Sequence, residues 1–364
     1  MFRKTESNNT PPVYLLLTRT DWDEPPRARH QLANSIISHG RVVFVSLNQR
    51  GKPSLFKQET NEGVELIVPS WYISGKYVYR IPILNELYQL WLLSKLSRYY
   101  SNPKVILFDP SGWLTHIYFK NFIYYCNDDF LDIRRSKTRV TQFYFKKSQK
   151  TIAKKAIYNV AVSNYLLDNL SNYSNRTKLI LTGASGVSKV KERKNRNPEL
   201  INLVYVGWLS KINSNWVVEA SKMPNIRIQL IGPFDKKDVR CYENIENIEI
   251  LGPRVGGELH TYLLRADIGI APYIMGRDTE LVYTVPNKFW LYLSYGIPVV
   301  THEIKNLFDF PKYFVYEAKS SNSFKMQIKN AINQDSLKLS KDRVSFIDDN
   351  GWDNRANEIL KLFK

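Results

Sequence analysis

Short apolar runs alternate along this chain with stretches in which apolar residues repeat at helical spacing, and glycine, proline and polar clusters separate the two. Val13-Tyr-Leu-Leu-Leu-Thr-Arg19 is a continuous apolar run of the kind that forms a buried parallel strand. The charged loop Asp21–His30 leads into a helical pattern over Gln31–Ser38, Gly40 stops it, and Arg41–Leu47 resumes as strand. Strand, loop, helix, glycine and strand make a βαβ unit, whose first loop lies at the sheet edge where open α/β folds bind ligands. Further strands are expected at 63–68, 104–109, 121–129 and 156–163, with helices over 84–100 and through Leu170. Residues 183–200 turn small and then charged, as a linker does. A second series follows, with strands at 202–207, 227–232, 248–252 and 268–273, helices from Trp216 and over 258–265, and an amphipathic helix over 352–363.

Thr284–Val300 has the strongest local pattern. Pro286 suits a first helical turn, Phe289, Trp290, Tyr292 and Leu293 supply apolar bulk at helical spacing, and Gly296 ends the helix before Pro298-Val-Val300 returns to strand. A helix start carrying Asn287 and Lys288 is suited to an anion, and an ordinary buried αβ unit with an exposed lysine is the plainer alternative.

A length of 364 residues implies two domains. The pattern divides them as 1–182, a linker at 183–200, 201–345, and a terminal helix at 346–364. No apolar run is long enough to span a bilayer. Met1–Pro12 lacks the apolar core of a secretory leader, and Cys126 and Cys241 lack metal or redox spacing, so a reducing cytoplasm is the expected setting. The formal charge of +18 admits nucleic acid, an anionic membrane or phosphorylated small molecules as partners.

The charge is concentrated. Residues 134–155 hold nine basic residues and no acid, with Phe143, Tyr144 and Phe145 among them. A solvated helix face is one explanation; an anionic membrane face, engaged by Arg134, Arg135, Lys146, Lys147 and Lys150, is the other. The neighbouring segments Leu84–Tyr100 and Trp113–Tyr125 are rich in Trp, Tyr and Leu, which suits an interfacial face and equally suits helix packing. No nucleic-acid motif accompanies the cluster, so no nucleic acid is expected, although a binder using 134–155 is the alternative from another class. A dinucleotide oxidoreductase is excluded because no Gly-x-Gly-x-x-Gly follows a strand.

The second half contains, in order, strand-Gly207-Trp208-Leu, Leu230-Ile-Gly-Pro233, Ile250-Leu-Gly-Pro-Arg254, Ala266-Asp-Ile-Gly-Ile-Ala-Pro-Tyr273, Pro286-Asn-Lys288 and Tyr292-Leu-Ser-Tyr-Gly-Ile-Pro-Val-Val300. This series resembles the donor domain of GT-B glycosyltransferases of the glycosyltransferase 4-like group, and Trp352-Asp-Asn-Arg355 is similar to the terminal helix that often crosses back to the first domain. In the first half, Trp22-Asp through Arg29-His30 and Tyr125-Cys-Asn-Asp-Asp129 resemble the bacterial subgroup of the xanthan glucuronosyltransferase and teichuronic-acid-type transferases. Ser185-Gly-Val187 resembles that family's Asn-Gly-Val.

The resemblance implies two Rossmann-like α/β domains facing across a cleft and transfer of a sugar from a UDP- or GDP-linked donor without a metal. It also implies a lipid-linked saccharide acceptor in bacterial surface polysaccharide synthesis, at the cytoplasmic face of the membrane. Gly207, Trp208, Arg254, Tyr273, Thr284, Asn287 and Lys288 would bind the donor, and Arg29 and His30 the acceptor. Retaining relatives carry paired glutamates eight residues apart; those places hold Tyr283 and Leu291 here, which favours an inverting, base-assisted displacement over a retaining enzyme with a divergent donor site. Asp129 is the first candidate for the base and Asp128 the second. The Asn127-Asp-Asp129 run equally fits a cap on the helix that follows, and Asp109 is a weaker candidate at another strand end.

Overall fold

The computed structural model describes residues 11–24, 27–131, 138–184, 199–274, 285–304 and 310–363. Its contacts divide the chain into Met1–Gly183 with Trp352–Lys364, and Ala184–Gly351.

The first unit is built from β1 (Val13–Leu17), α1 (Ala28–Ile36), β2 (Arg41–Val45), β3 (Gln49–Arg50), β4 (Ser54–Glu59), β5 (Glu65–Trp71), α2 (Gly75–Val78) and α3 (Pro82–Tyr99). There follow β6 (Lys104–Leu107), α4 (Thr115–Tyr118), β7 (Phe122–Cys126), α5 (Arg139–Lys155), β8 (Tyr158–Ala161), α6 (Asn164–Ser171) and β9 (Thr177–Leu179). The strands align in the order β3-β5-β2-β1-β6-β7-β8-β9, parallel throughout, with β4 pairing antiparallel on β5. Central strands are apolar on both faces: Leu15, Leu16, Val43, Phe44, Val105, Ile106 and Ile123 are all sealed from water, as a parallel sheet covered by helices requires. By contrast β4 is exposed along most of its length and carries Lys57 and Glu59, which keeps an edge strand from pairing further. Because β1 leads to β2 on one side and β6 stands on its other side, the strand order reverses between β1 and β6. That reversal opens a crevice at the carboxyl ends of these strands.

The terminal helix α13 (Trp352–Lys361) belongs to this unit. Trp352, Ala356, Ile359 and Leu360 bury one face in its core, and the helix packs on α1. Gly183 makes room for it, since a Cβ there would come within 2.6 Å of the Trp352 ring. The expected boundary at 346 falls inside an intact helix, Leu337–Asp349, and the chain changes unit only after Gly351.

The second unit contains β10 (Ile201–Val206), α7 (Ser214–Ser221), β11 (Ile226–Ile231), α8 (Lys236–Val239), β12 (Ile248–Gly252), α9 (Gly256–Arg265) and β13 (Ile268–Ala271). It continues with α10 (Asn287–Ser294), β14 (Val299–His302), β15 (Val315–Ala318), α11 (Ser321–Gln334) and α12 (Leu337–Asp349). The six strands run parallel in the order β12-β11-β10-β13-β14-β15, so the order reverses between β10 and β13. Pro286 is the N-cap of α10 and not its first helical residue. Phe289, Trp290, Tyr292 and Leu293 are buried, each fully buried large side chain contributing roughly 1.5–3 kcal/mol. Gly296 adopts a φ of +66° at the helix end, with its N–H on Leu293 O.

Arg343 fixes α12 against α10. Its guanidinium is wholly buried, pairs with Asp335 at 2.6 Å, and donates to Gly296 O at 3.0 Å and Tyr313 O at 2.8 Å. Removing one member of such a pair leaves a buried charge uncompensated, at a cost of about 3–5 kcal/mol. The pair therefore holds the end of α10 in place, and with it the side chains at the start of that helix.

Candidate functional site

Three glycines end three adjacent strands of the second unit: Gly207 after β10, Gly232 after β11 and Gly252 at the end of β12. Their backbones nest together. A Cβ at Gly232, whose φ is +146°, would fall 2.0 Å from Gly207 O, so no other residue fits without displacing that strand end. The N–H of Gly207 donates to Ile231 O (2.8 Å) and that of Gly232 to Gly252 O (2.9 Å). These amides are consumed by the sheet. The glycines therefore serve close approach and not hydrogen-bond donation to a ligand.

Lys288 lies at the reversal between β10 and β13. Its Nζ sits 3.8 Å from the centre of the Tyr205 ring on β10 and 4.7 Å from that of Tyr273, which follows β13. A Cβ at Gly207 would lie 2.9 Å from the same nitrogen. Two aromatic faces thus cradle the ammonium by cation–π attraction, and no carboxylate pairs with it among the described residues. Burial, and then the charge of Lys211, push its pKa well below the ordinary lysine range. The residue as a whole keeps some exposed surface, while the ammonium itself lies buried between the two rings. It stands in the first turn of α10, whose start no side chain caps, so helix polarity and ammonium favour an anion at the same place.

The surrounding tyrosines are held from below. Tyr292 is fully buried and its hydroxyl accepts from Val206 N–H at 2.8 Å. The Tyr205 hydroxyl donates to Trp208 O at 2.8 Å, and Tyr273 stands edge-on to His302, with 5.5 Å between ring centres. Trp208 and Asn287 are exposed at this edge. Arg254 follows β12 and lies 3.6 Å from Glu258. Thr284 lies outside the described residues. Leu291 is partly buried against the neighbouring core. The structure thus gathers Gly207, Tyr273, Lys288 and Asn287 at one strand edge, with Trp208 and Arg254 on the same edge. Sequence reasoning missed Tyr205 and Tyr292, which read as ordinary core positions, and Lys211, which carries no motif.

In the first unit, Arg19 after β1 and Asp109 after β6 face each other across the other reversal, 3.5 Å apart. Asp109 also accepts from Ser111 N–H at 2.8 Å, capping the turn that follows β6. His30 takes a different role from the expected acceptor contact. Its Nδ1 accepts from Arg27 N–H (3.0 Å), its Nε2–H donates to Asp21 O (3.1 Å), and its ring lies on Phe44. With both nitrogens engaged, His30 clasps the loop 21–30 and has no nitrogen left for a ligand. Arg29 is partly buried, and burial lowers its pKa against the opposing pull of Asp109 and, more weakly, Asp128.

The two candidate bases differ sharply. Asp129 is 6% exposed; one carboxylate oxygen accepts from Leu131 N–H and the other from the Tyr165 hydroxyl, each at 2.9 Å. That geometry is a turn-capping role with a second anchor on α6. Asp128 is partly exposed, and one of its oxygens accepts from Asp129 N–H at 2.9 Å.

Of the membrane candidates, Arg134 and Arg135 lie outside the described residues. Lys146, Lys147 and Lys150 line the exposed face of α5 together with Arg139, Lys154 and Lys155. Val140 (69% exposed) and Phe143 (71%) share that face. The adjoining helix α3, tied to α5 by Asn85 Nδ2 on the Tyr144 hydroxyl at 2.8 Å, exposes Ile83, Leu87 and Leu90 at helical spacing. No helix among the described residues is long and apolar enough to cross a membrane.

No protein-family model and no curated protein matches the sequence. Solved structures match its fold along almost the whole chain. A trehalose-6-phosphate protein from E. coli bound with UDP-2-fluoro glucose aligns with TM-score 0.70 at 10% identity, covering 97% of this chain and 99% of that one. Sucrose-phosphate synthase from Thermosynechococcus elongatus aligns with TM-score 0.68 at 13% identity, covering 97% and 98%. A lipopolysaccharide outer core galactosyltransferase in its apo form aligns with TM-score 0.67 at 11% identity, covering 96% and 98%. Two parallel-sheet α/β units and these likenesses define the fold as GT-B.

Proposed function

We propose that this protein is a metal-independent glycosyltransferase that moves a sugar from a nucleotide-sugar donor to a saccharide acceptor. The observation that carries the reading is Lys288, an ammonium with no carboxylate partner among the described residues, set at an uncapped helix start beside Gly207, whose missing side chain leaves room for it. A nucleoside diphosphate supplies the missing negative charge. In the reaction, the acceptor hydroxyl oxygen attacks the anomeric carbon while the bond from that carbon to the diphosphate oxygen breaks. The hydroxyl proton passes to a carboxylate, and the charge on the departing diphosphate is met by Lys288 and the helix start. Inversion is favoured because Leu291, where retaining relatives place a glutamate, cannot stabilise a positive anomeric centre. Asp128 is the better base on accessibility; Asp129 is committed to Leu131 and Tyr165. A UDP-linked donor is favoured over a GDP-linked one by analogy with the E. coli neighbour bound to a UDP sugar. Thermal-shift titration with a panel of nucleotides and nucleotide sugars, with EDTA present, tests the reading. Stabilisation by UDP or GDP and their sugars is expected; silence across the whole panel would refute it.

The acceptor side of the proposal is a lipid-linked saccharide of bacterial surface polysaccharide, taken at the membrane as in the subgroup the first half resembles. Its support is the outer face of α5, where six described cations and no acid stand with exposed Val140 and Phe143, while α3 separately exposes Ile83 and Leu87. Each cation near an anionic surface contributes about 1 kcal/mol, and apolar side chains at the same level add insertion. The protein should float with vesicles containing anionic lipid and lose that binding in high salt. The triple variant Lys146→Ala, Lys147→Ala, Lys150→Ala should partition at least about tenfold less, since roughly 1.4 kcal/mol is already a factor of ten. Undiminished flotation of the triple variant would remove the membrane role from α5.

A further inference from the structure

Beneath the reversal in the first sheet, at the carboxyl ends of β1, β2 and β6, lies a cavity of about 50 Å³. Most of its wall is apolar, Leu92 and Leu107 included. Four polar groups that line it have no hydrogen-bond partner: Arg19 Nη1, Ser46 Oγ, Gln89 Nε2 and Thr115 Oγ1. Ser46, Gln89 and Thr115 are 3%, 4% and 0% exposed, and buried polar groups left unpaired cost about 1–3 kcal/mol each. Their orientation is fixed. Gln89 Oε1 accepts from Leu114 N–H at 3.0 Å, which leaves its amide N–H as the free donor of this lining residue. Arg19 spends Nη2 on Asn85 Oδ1 (3.1 Å) and places Nε beside Asp109 (3.5 Å), which leaves Nη1.

This donor set specifies a guest. Arg19 and Gln89 can only donate from these atoms, and the two hydroxyls can do either, so the guest must present an acceptor oxygen. Asp109 already balances the charge of Arg19, which favours a neutral carbonyl over a carboxylate. The apolar remainder of the wall suits a methyl group. By the measure in which one water needs roughly 10–15 Å³, the cavity holds about four heavy atoms. We infer that this cavity is a subsite for an acylamino substituent, of the N-acetyl type, on the acceptor sugar. The inference rests on the glycosyltransferase reading for the identity of the ligand as an acceptor, and on the cavity alone for the group recognised.

Calorimetric titration of the full chain, with and without UDP, tests it using methyl 2-acetamido-2-deoxyhexosides, the matching methyl hexosides and methyl hexuronides. The acetamido sugar should bind about tenfold tighter than its parent hexoside, the size of one well-made polar contact. Gln89→Glu keeps the acceptor for Leu114 N–H but removes the donor, and Thr115→Val keeps the shape but removes the hydroxyl; each should reduce the preference to about twofold or less. Equal binding of acetamido sugar and hexoside, a preference for the hexuronide, or a preference that survives both substitutions would overturn the subsite, and a cluster of water would then fill the cavity. UDP binding without an acetamido preference refutes the subsite alone. An acetamido preference without nucleotide binding refutes the transferase reading alone.

Discussion

Lys288→Met is expected to lower kcat/KM for the nucleotide sugar by about 10²–10³, the usual effect of removing one group that stabilises developing charge, while leaving the protein as stable as before or more so. The two halves of this result have a common origin. In the unliganded protein the ammonium is held between Tyr205 and Tyr273, close to Lys211, with no carboxylate partner among the described residues. Methionine fills similar space with no charge to desolvate, so the fold loses a penalty. A lysine present only to pack would give the opposite pattern, a lower melting temperature with activity falling in proportion. The pH dependence separates the roles further. The folded-state pKa of Lys288 is depressed below that of an unfolded lysine, first by burial and then by Lys211. Below the depressed pKa both states are charged and the burial penalty acts in full. As pH rises through it, the folded form loses its proton first and stability increases until the unfolded lysine titrates too. UDP affinity moves the other way, falling as pH rises through the same pKa, because the diphosphate needs the charged form. Both alkaline limbs should vanish in Lys288→Met. A variant with unchanged UDP affinity across pH would take Lys288 out of the site.

The glycines and Lys288 were legible in the sequence because their constraints are local. A residue at the end of a strand that must let another backbone approach has to be glycine, and the start of α10 shows its lysine beside its proline. Both sheets were legible for a similar reason, since a strand buried on both faces must be a continuous apolar run, as Val13–Leu17 and Ile268–Ala271 are. What escaped was decided by distant partners. The edge strand Ser54–Glu59 ends in the polar run Lys57-Gln-Glu59, exposes Phe56, and pairs with Glu65–Trp71 along its length. Val315–Ala318 and the two helices after it carry mixed patterns, and Arg343 looks like a surface residue until Asp335, Gly296 and Tyr313 close around it. His30 shows the converse. Its position at a sheet edge suggested ligand contact, yet Arg27 N–H and Asp21 O, both in its own loop, occupy its ring. The Asn127-Asp-Asp129 run left two readings open; Thr138 and not Asp129 caps the next described helix, and the Asp129 carboxylate instead holds Leu131 N–H and the Tyr165 hydroxyl.

That assignment makes Asp128 and Asp129 separable by experiment, and the second large effect belongs to Asp128. Asp128→Asn should reduce kcat by about 10²–10⁴, the range for losing a positioned general base, with UDP affinity near that of the parent. The asparagine amide still offers an oxygen to Asp129 N–H, while proton acceptance is lost. Asp129→Ala should do the reverse. It removes the acceptor that Leu131 N–H and the Tyr165 hydroxyl use, at about 0.5–1.5 kcal/mol for each hydrogen bond lost, and it should lower stability with a much smaller change in kcat once the folded fraction is counted. Tyr165→Phe should reproduce part of the Asp129 stability loss and none of the Asp128 rate loss. The pair of nearby cations gives this division a physical basis. Arg29, whose charge is felt by Asp109 and Asp128, and Arg19, which faces Asp109, set positive charge beside the strand ends where Asp128 stands. Asp128 is the carboxylate of the two that couples to Arg29 and is part-exposed, as a proton acceptor for a ligand must be. If Asp129→Asn abolished turnover at unchanged melting temperature while Asp128→Asn kept full activity, the buried carboxylate would be the base, and Tyr165 would be its positioning residue instead of an anchor for the turn.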